Sequence, residues 1–445
     1  MSKQKNVLVI FSDQQHKYAL GKVNPQYITP NLDRLCDEGV LFESGYSNNP
    51  VCGPYRGNLM TGLYTSHCGV YNNGDPLPEG VPTMASLLND QNYETCFVGK
   101  WHLGGNGIGP IPENIRGSFK HFVAYQCYNG FDPNPPYNNK VAFYDEYDRE
   151  HIYDKHRTDV TTDIAIDKLR LLNDSGKPFF AVVGYQAPHY PEQPSPEYAA
   201  LYTGVTFAKD PNYQEVEPYT PTYSPTSPRP FELCPDFQRY GGNMDEYMRL
   251  YAGLVSQVDA GVGRIVQELK ELGIYDDTLI IYTSDHGDMQ GSHGLRNKCL
   301  PHEKSCGVPF LARLPGGVQG IRSDALVSGI DILPTALEVA GASTDFRCDG
   351  VSFLGHLTDG SAYSRDYVIA EYPLKSQSGY RWRMIRDKQY KLVVDCHSFK
   401  GLYLFDMIND PWEMDNIIDC DENAQIIARL TALLNENTAE MPMLD

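Results

Sequence analysis

The sequence predicts an α/β protein in which helices cover both faces of a mostly parallel sheet, with a smaller antiparallel sheet near the C-terminus. Three observations predict this fold. Short apolar runs ended by polar residues recur along most of the chain, amphipathic helical patterns lie between them, and shorter strand-like runs come last. Continuous apolar runs are typical of strands buried on both faces, as parallel strands usually are.

The predicted strands of the large sheet are short, apolar and bounded by polar or turn-forming residues. They are residues 7–11, 95–98, 179–185, 278–283 and 308–311.

The predicted helices alternate with these strands. Thr29 and Pro30 are typical of an N-cap and a first helical turn, and we expect their helix to extend to residue 37. Further helices are predicted at residues 83–92 and 331–340. Apolar side chains recur every three or four residues over residues 248–272, which predicts one long amphipathic helix.

The chain divides into two predicted domains, a catalytic α/β domain over residues 1–360 and a C-terminal α+β subdomain over residues 361–445. Within the first domain, residues 191–244 are rich in proline and tyrosine and lack a regular pattern, which favours a substrate lid. In the C-terminal subdomain we predict three strands and a helix, at residues 367–370, 382–385, 390–394 and 423–435.

Composition excludes some partners. The formal net charge is −20 and no run of lysine or arginine occurs, so we expect no nucleic-acid partner. No segment approaches the roughly 20 apolar residues of a membrane span, and the N-terminus lacks a signal-peptide pattern. The eleven cysteines lack paired spacing and are expected to be free thiols. These features together predict a cytoplasmic protein without a membrane partner.

Acidic clusters follow two of the predicted strands. The first strand runs into Ser12-Asp13-Gln14, and a later strand runs into Ser284-Asp285-His286. Ligands of mostly parallel sheets bind at the carboxyl ends of strands, so we expect the active site there.

Cys52 begins the segment Cys52-Gly-Pro54-Tyr-Arg56, and a helix is predicted to start near Arg56 and to run to residues 61–62, which puts Cys52 at a helix N-terminus. A helix N-terminus favours anions, and Arg56 would add a fixed cation. A lone cysteine is more often a buried small apolar side chain. The Cys-x-Pro-x-Arg spacing distinguishes Cys52 from that ordinary case.

With this motif the sequence resembles the type I sulfatase family, whose signature is Cys (or Ser)-x-Pro-x-Arg. The resemblance implies an alkaline-phosphatase-like fold and hydrolysis of a sulfate monoester. It also implies that a sulfatase-maturing enzyme converts Cys52 to formylglycine. The hydrated aldehyde has two hydroxyls: one attacks sulfur, and the other loses a proton as the aldehyde re-forms and sulfate leaves.

The resemblance also assigns roles to residues in motifs along most of the chain. It implies a divalent-metal site formed by Asp13, Gln14, Cys52, Asp285 and His286. It implies that Arg56 and His102 contact the nucleophile, that Lys100 and Lys298 bind the sulfate, and that His189 contacts the substrate and protonates the leaving oxygen. The C-terminal motif from Tyr403 to Glu413 also resembles the family's.

Two positions depart from the family pattern. Many members have Asp where Gln14 stands and Asn where His286 stands. The resemblance favours calcium, but an imidazole ligand also suits other metals, so manganese, magnesium and zinc stay open. The Asp-His pair also resembles phosphonate monoester hydrolases. Two alternatives to a sulfatase stay open. One is a phosphonate monoester or phosphodiester hydrolase, and the other is a non-catalytic binding protein with the same fold.

The preferred substrate is a small sulfated sugar, a mono- or disaccharide. Arg383, within Arg381-Trp382-Arg383, is a candidate substrate-binding residue because this segment could line a polar, stacking pocket. Four further histidines are expected to be structural: His16, His67, His293 and His302.

Overall fold

The computed structural model describes residues 4–105, 107, 109–127, 140–214, 243–342, 346–361, 363, 365–374 and 381–442. A ten-stranded sheet forms its centre, with strands β1 (Asn6–Asp13), β2 (Val40–Tyr46), β3 (Glu94–Lys100), β4 (His121–Tyr125), β5 (Val141–Tyr144), β6 (Glu150–Tyr153), β7 (Phe179–Pro188), β8 (Thr278–Ser284), β9 (Phe310–Arg313) and β10 (Ile321–Ser328). The spatial order is β10-β2-β9-β8-β1-β7-β3-β4-β5-β6.

The middle of this sheet is parallel, as predicted. Strands β8, β1, β7, β3 and β4 pair in parallel, whereas β9 and β5 run antiparallel to their neighbours. Every residue of β1, β7 and β8 is buried, because helices cover both faces.

Alternation along β1 shows how the two faces are filled. Val7, Val9 and Phe11 pack on one face, and Leu8 and Ile10 pack on the other.

The helices of the described residues are α1 (Pro30–Asp37), α2 (Cys52–Thr61), α3 (Thr65–Cys68), α4 (Met84–Asn89), α5 (Arg157–Asp174), α6 (Pro196–Ala200), α7 (Met244–Glu271), α8 (Glu303–Cys306), α9 (Ile332–Ala340), α10 (Leu354–Asp359) and α11 (Ala424–Asn437). Short 3₁₀ turns lie at Glu113–Ile115, Tyr275–Asp277, Gly329–Asp331 and Asp421–Asn423. None of these helices is both long and apolar enough to cross a membrane.

The predicted helices are present with small shifts of their ends. The long helix α7 begins before the predicted residue 248, because the Asn243 side chain accepts a hydrogen bond from the backbone N–H of Glu246. Helix α4 ends before the predicted residue 92, because Asn92 has a left-handed φ of 64° and turns the chain into β3. Strands β2, β4, β5, β6 and β10 and helices α3, α5, α6, α8 and α10 were not predicted.

The C-terminal sheet is antiparallel, as predicted, with strands β11 (Val368–Tyr372), β12 (Trp382–Arg386), β13 (Tyr390–Asp395) and β14 (Gly401–Asp406), of which β14 was not predicted. Trp382 and Met384 pack with Tyr46 of the large sheet, whereas Ile385 packs on the other face with Leu430 of α11. The boundary between residues 360 and 361 stays a prediction.

The predicted lid at residues 191–244 is only partly described. Helix α6 lies at its start, but residues 215–242, with the proline- and tyrosine-rich centre, lie outside the described residues. The described cysteines are all free thiols, as predicted.

Candidate active site

The carboxyl edge of the parallel strands collects the predicted site residues. Asp13 ends β1, and Ser12 pairs in register with Ser284, the last residue of β8. Lys100 ends β3, and His189 directly follows β7. Parallel pairing therefore brings together side chains that are far apart in the sequence.

Cys52 is the first residue of α2 and is buried. Its sulfur lies 3.2 Å from Lys298 Nζ, 3.3 Å from His286 Nε2 and 3.5 Å from Asp13 Oδ1. The side chains of His102 and His189 also lie beside the Cys52 thiol. One thiol is thus surrounded by the residue types needed to activate a nucleophile and to bind an anion.

Ion pairs hold the basic residues of the site. Lys100 Nζ lies 2.5 Å from Asp13 Oδ2. The Arg56 guanidinium lies 3.3 Å from Asp13 Oδ2 and 3.2 Å from Asp285 Oδ2, and it also donates to the Lys100 carbonyl. All four side chains are buried, so they hold one another in fixed positions.

The surrounding charges shift the pKa of several groups. Burial alone would favour the neutral thiol, but Lys100 and Lys298 hold the pKa of Cys52 well below its usual range. Burial and the neighbouring Lys298 lower the pKa of His189. Burial likewise works against the charged form of Lys100, yet Asp13 raises its pKa well above the usual value. The site thus favours an ionised group at position 52 and cations around it.

Four potential metal-ligand atoms lie within 4.8 Å of one another, and they belong to Asp13, Cys52, Asp285 and His286. His286 Nε2 is 3.5 Å from Asp13 Oδ1 and 3.4 Å from Asp285 Oδ1. Ligands about 2.1–2.4 Å from one ion are separated by roughly 3.4 Å, so this spacing fits a divalent cation. Burial and repulsion from Asp13 raise the pKa of Asp285, and a cation between the carboxylates would relieve both effects.

Gln14 lies beside these four residues in a left-handed conformation, with a φ of 72°. Its Oε1 is 3.1 Å from Lys298 Nζ, and its Nε2 donates to Asp288 Oδ2 at 2.6 Å. Tyr247 also donates to Asp288, and Tyr251 donates to the Gln14 carbonyl at 2.8 Å. The sequence did not indicate the two tyrosines, although Asp288 was visible in the same acidic cluster as Asp285.

Cys127 is a second residue that sequence reasoning missed. It follows β4 and lies beside the His102 side chain, and His102 lowers the pKa of its thiol against the effect of burial. No local motif marks this cysteine, because the contact depends on β4 lying beside β3 in the sheet.

The structure gives Arg383 a different role from the predicted substrate contact. Trp382 and Met384 face the large sheet, so the side chain between them points to the opposite face of β12. There, Arg383 Nε donates to Glu371 Oε1 at 2.9 Å, and the guanidinium also donates to the Ala439 carbonyl. Arg383 is only 1% exposed, so we assign it to a structural ion pair.

Comparison with family models shows which family the chain belongs to. The sulfatase family model matches residues 5–342, which is well over half of the chain. The chain belongs to the sulfatase family. It is a sulfuric ester hydrolase. A second model, for the C-terminal region of N-sulphoglucosamine sulphohydrolase, matches residues 291–440.

Curated sulfatases align with nearly the whole chain. An ulvan-active sulfatase from Formosa agariphila is 28% identical over 98% of this chain and 81% of its own length. An N-acetylglucosamine-6-O-sulfatase from Bacteroides thetaiotaomicron is 27% identical over 98% of this chain and 86% of its own.

Solved structures share the fold. A protein solved in complex with its substrate D-glucosamine-2-N,6-O-disulfate superposes with a TM-score of 0.80 at 24% identity, covering 98% of this sulfatase and 97% of that chain. A phosphonate monoester hydrolase from Silicibacter pomeroyi superposes with a TM-score of 0.78 at 25% identity, covering 98% and 96%. The predicted fold, alkaline-phosphatase-like with a mostly parallel sheet, is confirmed.

Proposed function

We propose that this sulfatase hydrolyses the sulfate monoester of a small sulfated sugar, with a formylglycine made from Cys52 as its nucleophile. The proposal rests on the side chains that surround Cys52. Its sulfur lies within 3.5 Å of a lysine, a histidine and a carboxylate, at the N-terminus of a buried helix.

The modification fits the position. The formylglycine hydrate supplies a hydroxyl that attacks sulfur and a second hydroxyl whose ionisation releases sulfate. Lys100 and Lys298 stabilise negative charge at position 52, and the His102 side chain lies beside that position. A sulfatase-maturing enzyme is therefore the proposed partner that acts on Cys52.

Asp13, Asp285 and His286 would hold a divalent cation beside residue 52, with Gln14 as a further candidate ligand. When bound, the cation would neutralise negative charge on the sulfate oxygens. Calcium is our proposal by resemblance to the family. Because His286 offers nitrogen where calcium prefers oxygen, manganese and zinc are the competitors to test.

The three cationic side chains would bind the sulfate group itself. Lys298 contacts the Cys52 sulfur directly, whereas Arg56 and Lys100 reach the site from α2 and β3. Charge on the non-bridging oxygens shifts toward the leaving group as the S–O bond breaks. Fixed cations on both sides stabilise that transition state without needing to reorganise.

His189 would protonate the leaving alcohol. Its Nδ1 lies 2.8 Å from the Tyr190 carbonyl, so a proton on Nδ1 is used to bind the backbone. With Nδ1–H held by the backbone, a transferable proton stands on Nε2 only in the imidazolium form, and the lowered pKa of His189 makes that imidazolium a strong acid toward the departing oxygen.

A sugar substrate is supported by the relatives. Two aligned enzymes are named for action on ulvan and on N-acetylglucosamine 6-sulfate, and a structural neighbour holds a disulfated glucosamine. The cytoplasmic location predicted from the sequence would favour an imported mono- or disaccharide.

The experiment is a comparison of substrates. Matured, calcium-loaded enzyme is assayed with sulfated monosaccharides that differ in sulfate position and with an aryl sulfate. We expect a higher kcat/KM for at least one sugar sulfate. Turnover of the aryl sulfate alone would contradict the sugar assignment but leave the sulfatase assignment standing.

A second candidate activity has specific support. A multifunctional alkaline phosphatase superfamily protein from Trinickia caryophylli is 28% identical over 93% of this chain, and the Silicibacter pomeroyi structure is a phosphonate monoester hydrolase. Matched aryl sulfate and aryl phosphonate esters separate the two activities. A higher kcat/KM on the phosphonate would replace our proposal with this one.

A further inference from the structure

A second cluster of potential ligands lies outside the active site, between the large sheet and the C-terminal sheet. His293, His302 and Glu413 each place one ligand atom within 4.8 Å of the other two. The imidazole rings of His293 and His302 stack with centroids 4.4 Å apart, and His302 Nδ1 lies 3.4 Å from Glu413 Oε2. Two imidazoles and one carboxylate form a ligand set that zinc uses in proteins.

The buried histidine of this cluster has an unsatisfied nitrogen. His302 is 9% exposed, and its Nδ1 makes no hydrogen bond within the described part of the chain. A buried ring nitrogen that has a 3.4 Å contact with a carboxylate but no hydrogen bond calls for an explanation. This nitrogen faces the Glu413 carboxylate at a distance typical of two ligands on one zinc ion.

The Glu413 carboxylate divides its two oxygens between different neighbours. Lys391 Nζ lies 2.7 Å from Oε1, and the backbone N–H of Glu303 donates to Oε2 at 2.8 Å. A carboxylate oxygen has two lone-pair directions, so Oε2 can also bind a metal on the histidine side. The ammonium group therefore neutralises one edge of the carboxylate and leaves the other for a ligand.

The ionised groups around the cluster balance one another. Lys391 and Lys17 pair with Glu303, and Lys304 pairs with Asp210 at 2.5 Å. The charged side chains that act on His293 are Glu413 and Asp410, which are anionic, and Lys391, which is cationic. A zinc ion would thus enter a region without excess positive charge.

We propose that His293, His302 and Glu413 bind one zinc ion, which braces the loop after β8 against the loop after β14. The two histidines flank Lys298 in the sequence, so the ion would fix the segment that carries this lysine. His293 and Glu413 both have left-handed backbones, with φ of 53° and 59°. This second metal site is independent of the proposed function at Cys52.

The test uses the full chain, zinc alone as the probe, and excess calcium to occupy the active site. We expect the wild type to bind one zinc ion per chain by isothermal titration, with a rise in Tm. Asp285→Asn, which disables the active-site ligand set, should still bind one zinc ion. His67→Ala, a control at a histidine paired with Asp349 elsewhere, should also bind zinc normally.

His302→Ala and His293→Ala should each weaken zinc binding by at least about 100-fold, because removing a ligand costs more than removing a residue that supports one. His293 is only partly buried, so its variant remains informative if His302→Ala fails to fold. Absence of zinc binding by the wild type overturns the proposal. Zinc binding that survives His293→Ala, or that disappears with Asp285→Asn, overturns it equally.

Discussion

The active site and the junction with the C-terminal sheet both bury lysines among carboxylates, yet the two regions use them differently. At the junction, Lys391 lies 2.6 Å from Glu303 and 2.7 Å from Glu413, so its charge is satisfied by acidic partners. In the active site, Lys298 instead contacts the Cys52 sulfur and the amide oxygen of Gln14. A buried cation that faces a nucleophile and a neutral amide is placed to bind an anionic substrate, whereas a buried cation between carboxylates stabilises the fold.

The largest effect expected from this comparison is at the nucleophile. Cys52→Ala should reduce kcat/KM on a sulfate ester by at least about 10⁶-fold, because covalent catalysis is lost altogether. Steady-state kinetics on co-matured protein measures it. Cys96→Ala is the matched control, since Cys96 is equally buried in the core of β3, and it should retain activity. Substantial turnover by Cys52→Ala would remove Cys52 from the mechanism.

Lys391→Met should lower the free energy of unfolding by about 3–5 kcal/mol, because Glu303 and Glu413 would lose a buried partner. Urea denaturation measures the loss. The enzyme that remains folded should keep its KM for the sulfate ester. A variant as stable as the wild type would show that the junction lysine is not the structural cation described above.

Lys298→Met should show the opposite pattern. We expect kcat/KM to fall by about 10²–10³-fold, because a fixed cation at the sulfate is lost. The Tm should fall little, since Lys298 has a thiol and an amide as its contacts. If Lys298→Met instead unfolded at a much lower temperature with unchanged kinetics, the contrast between the two lysines would be wrong.

The smallest expected effect is on acid stability. Burial would raise the pKa of Glu413, but Lys391 and His302 hold it well below its usual range. A carboxyl whose pKa is lower in the folded state stabilises the fold above its unfolded value of about 4.3, and this contribution is lost as the pH falls below that value. Between pH 6 and pH 3, the free energy of unfolding of Glu413→Gln should therefore fall by about 1–2 kcal/mol less than that of the wild type. The measurement is the urea midpoint of both proteins as a function of pH. If the two profiles were parallel, Glu413 would not contribute to acid stability in this way.

Much of the active site could be predicted because its chemistry is local in the sequence. Asp13, Lys100 and Asp285 stand at or directly after strand ends, and parallel strands bring those ends to one edge. Cys52 and Arg56 lie one helical turn apart, so their shared direction follows from the spacing alone.

Other features could not be predicted, because they depend on which elements become neighbours. The face of β12 that Arg383 occupies is set by the packing of Trp382 against the large sheet. The contact between Tyr247 and Asp288 requires α7 to lie beside the loop after β8. Likewise, His293 and Glu413 belong to loops of different sheets, and no periodicity relates them.

The most direct test of the central claim is the mass of the peptide that contains residue 52, from protein co-expressed with a sulfatase-maturing enzyme. The account predicts the mass of formylglycine at this position, together with turnover of a sulfate ester. An unmodified Cys52, while a known sulfatase is converted in the same cells, would contradict the proposed nucleophile.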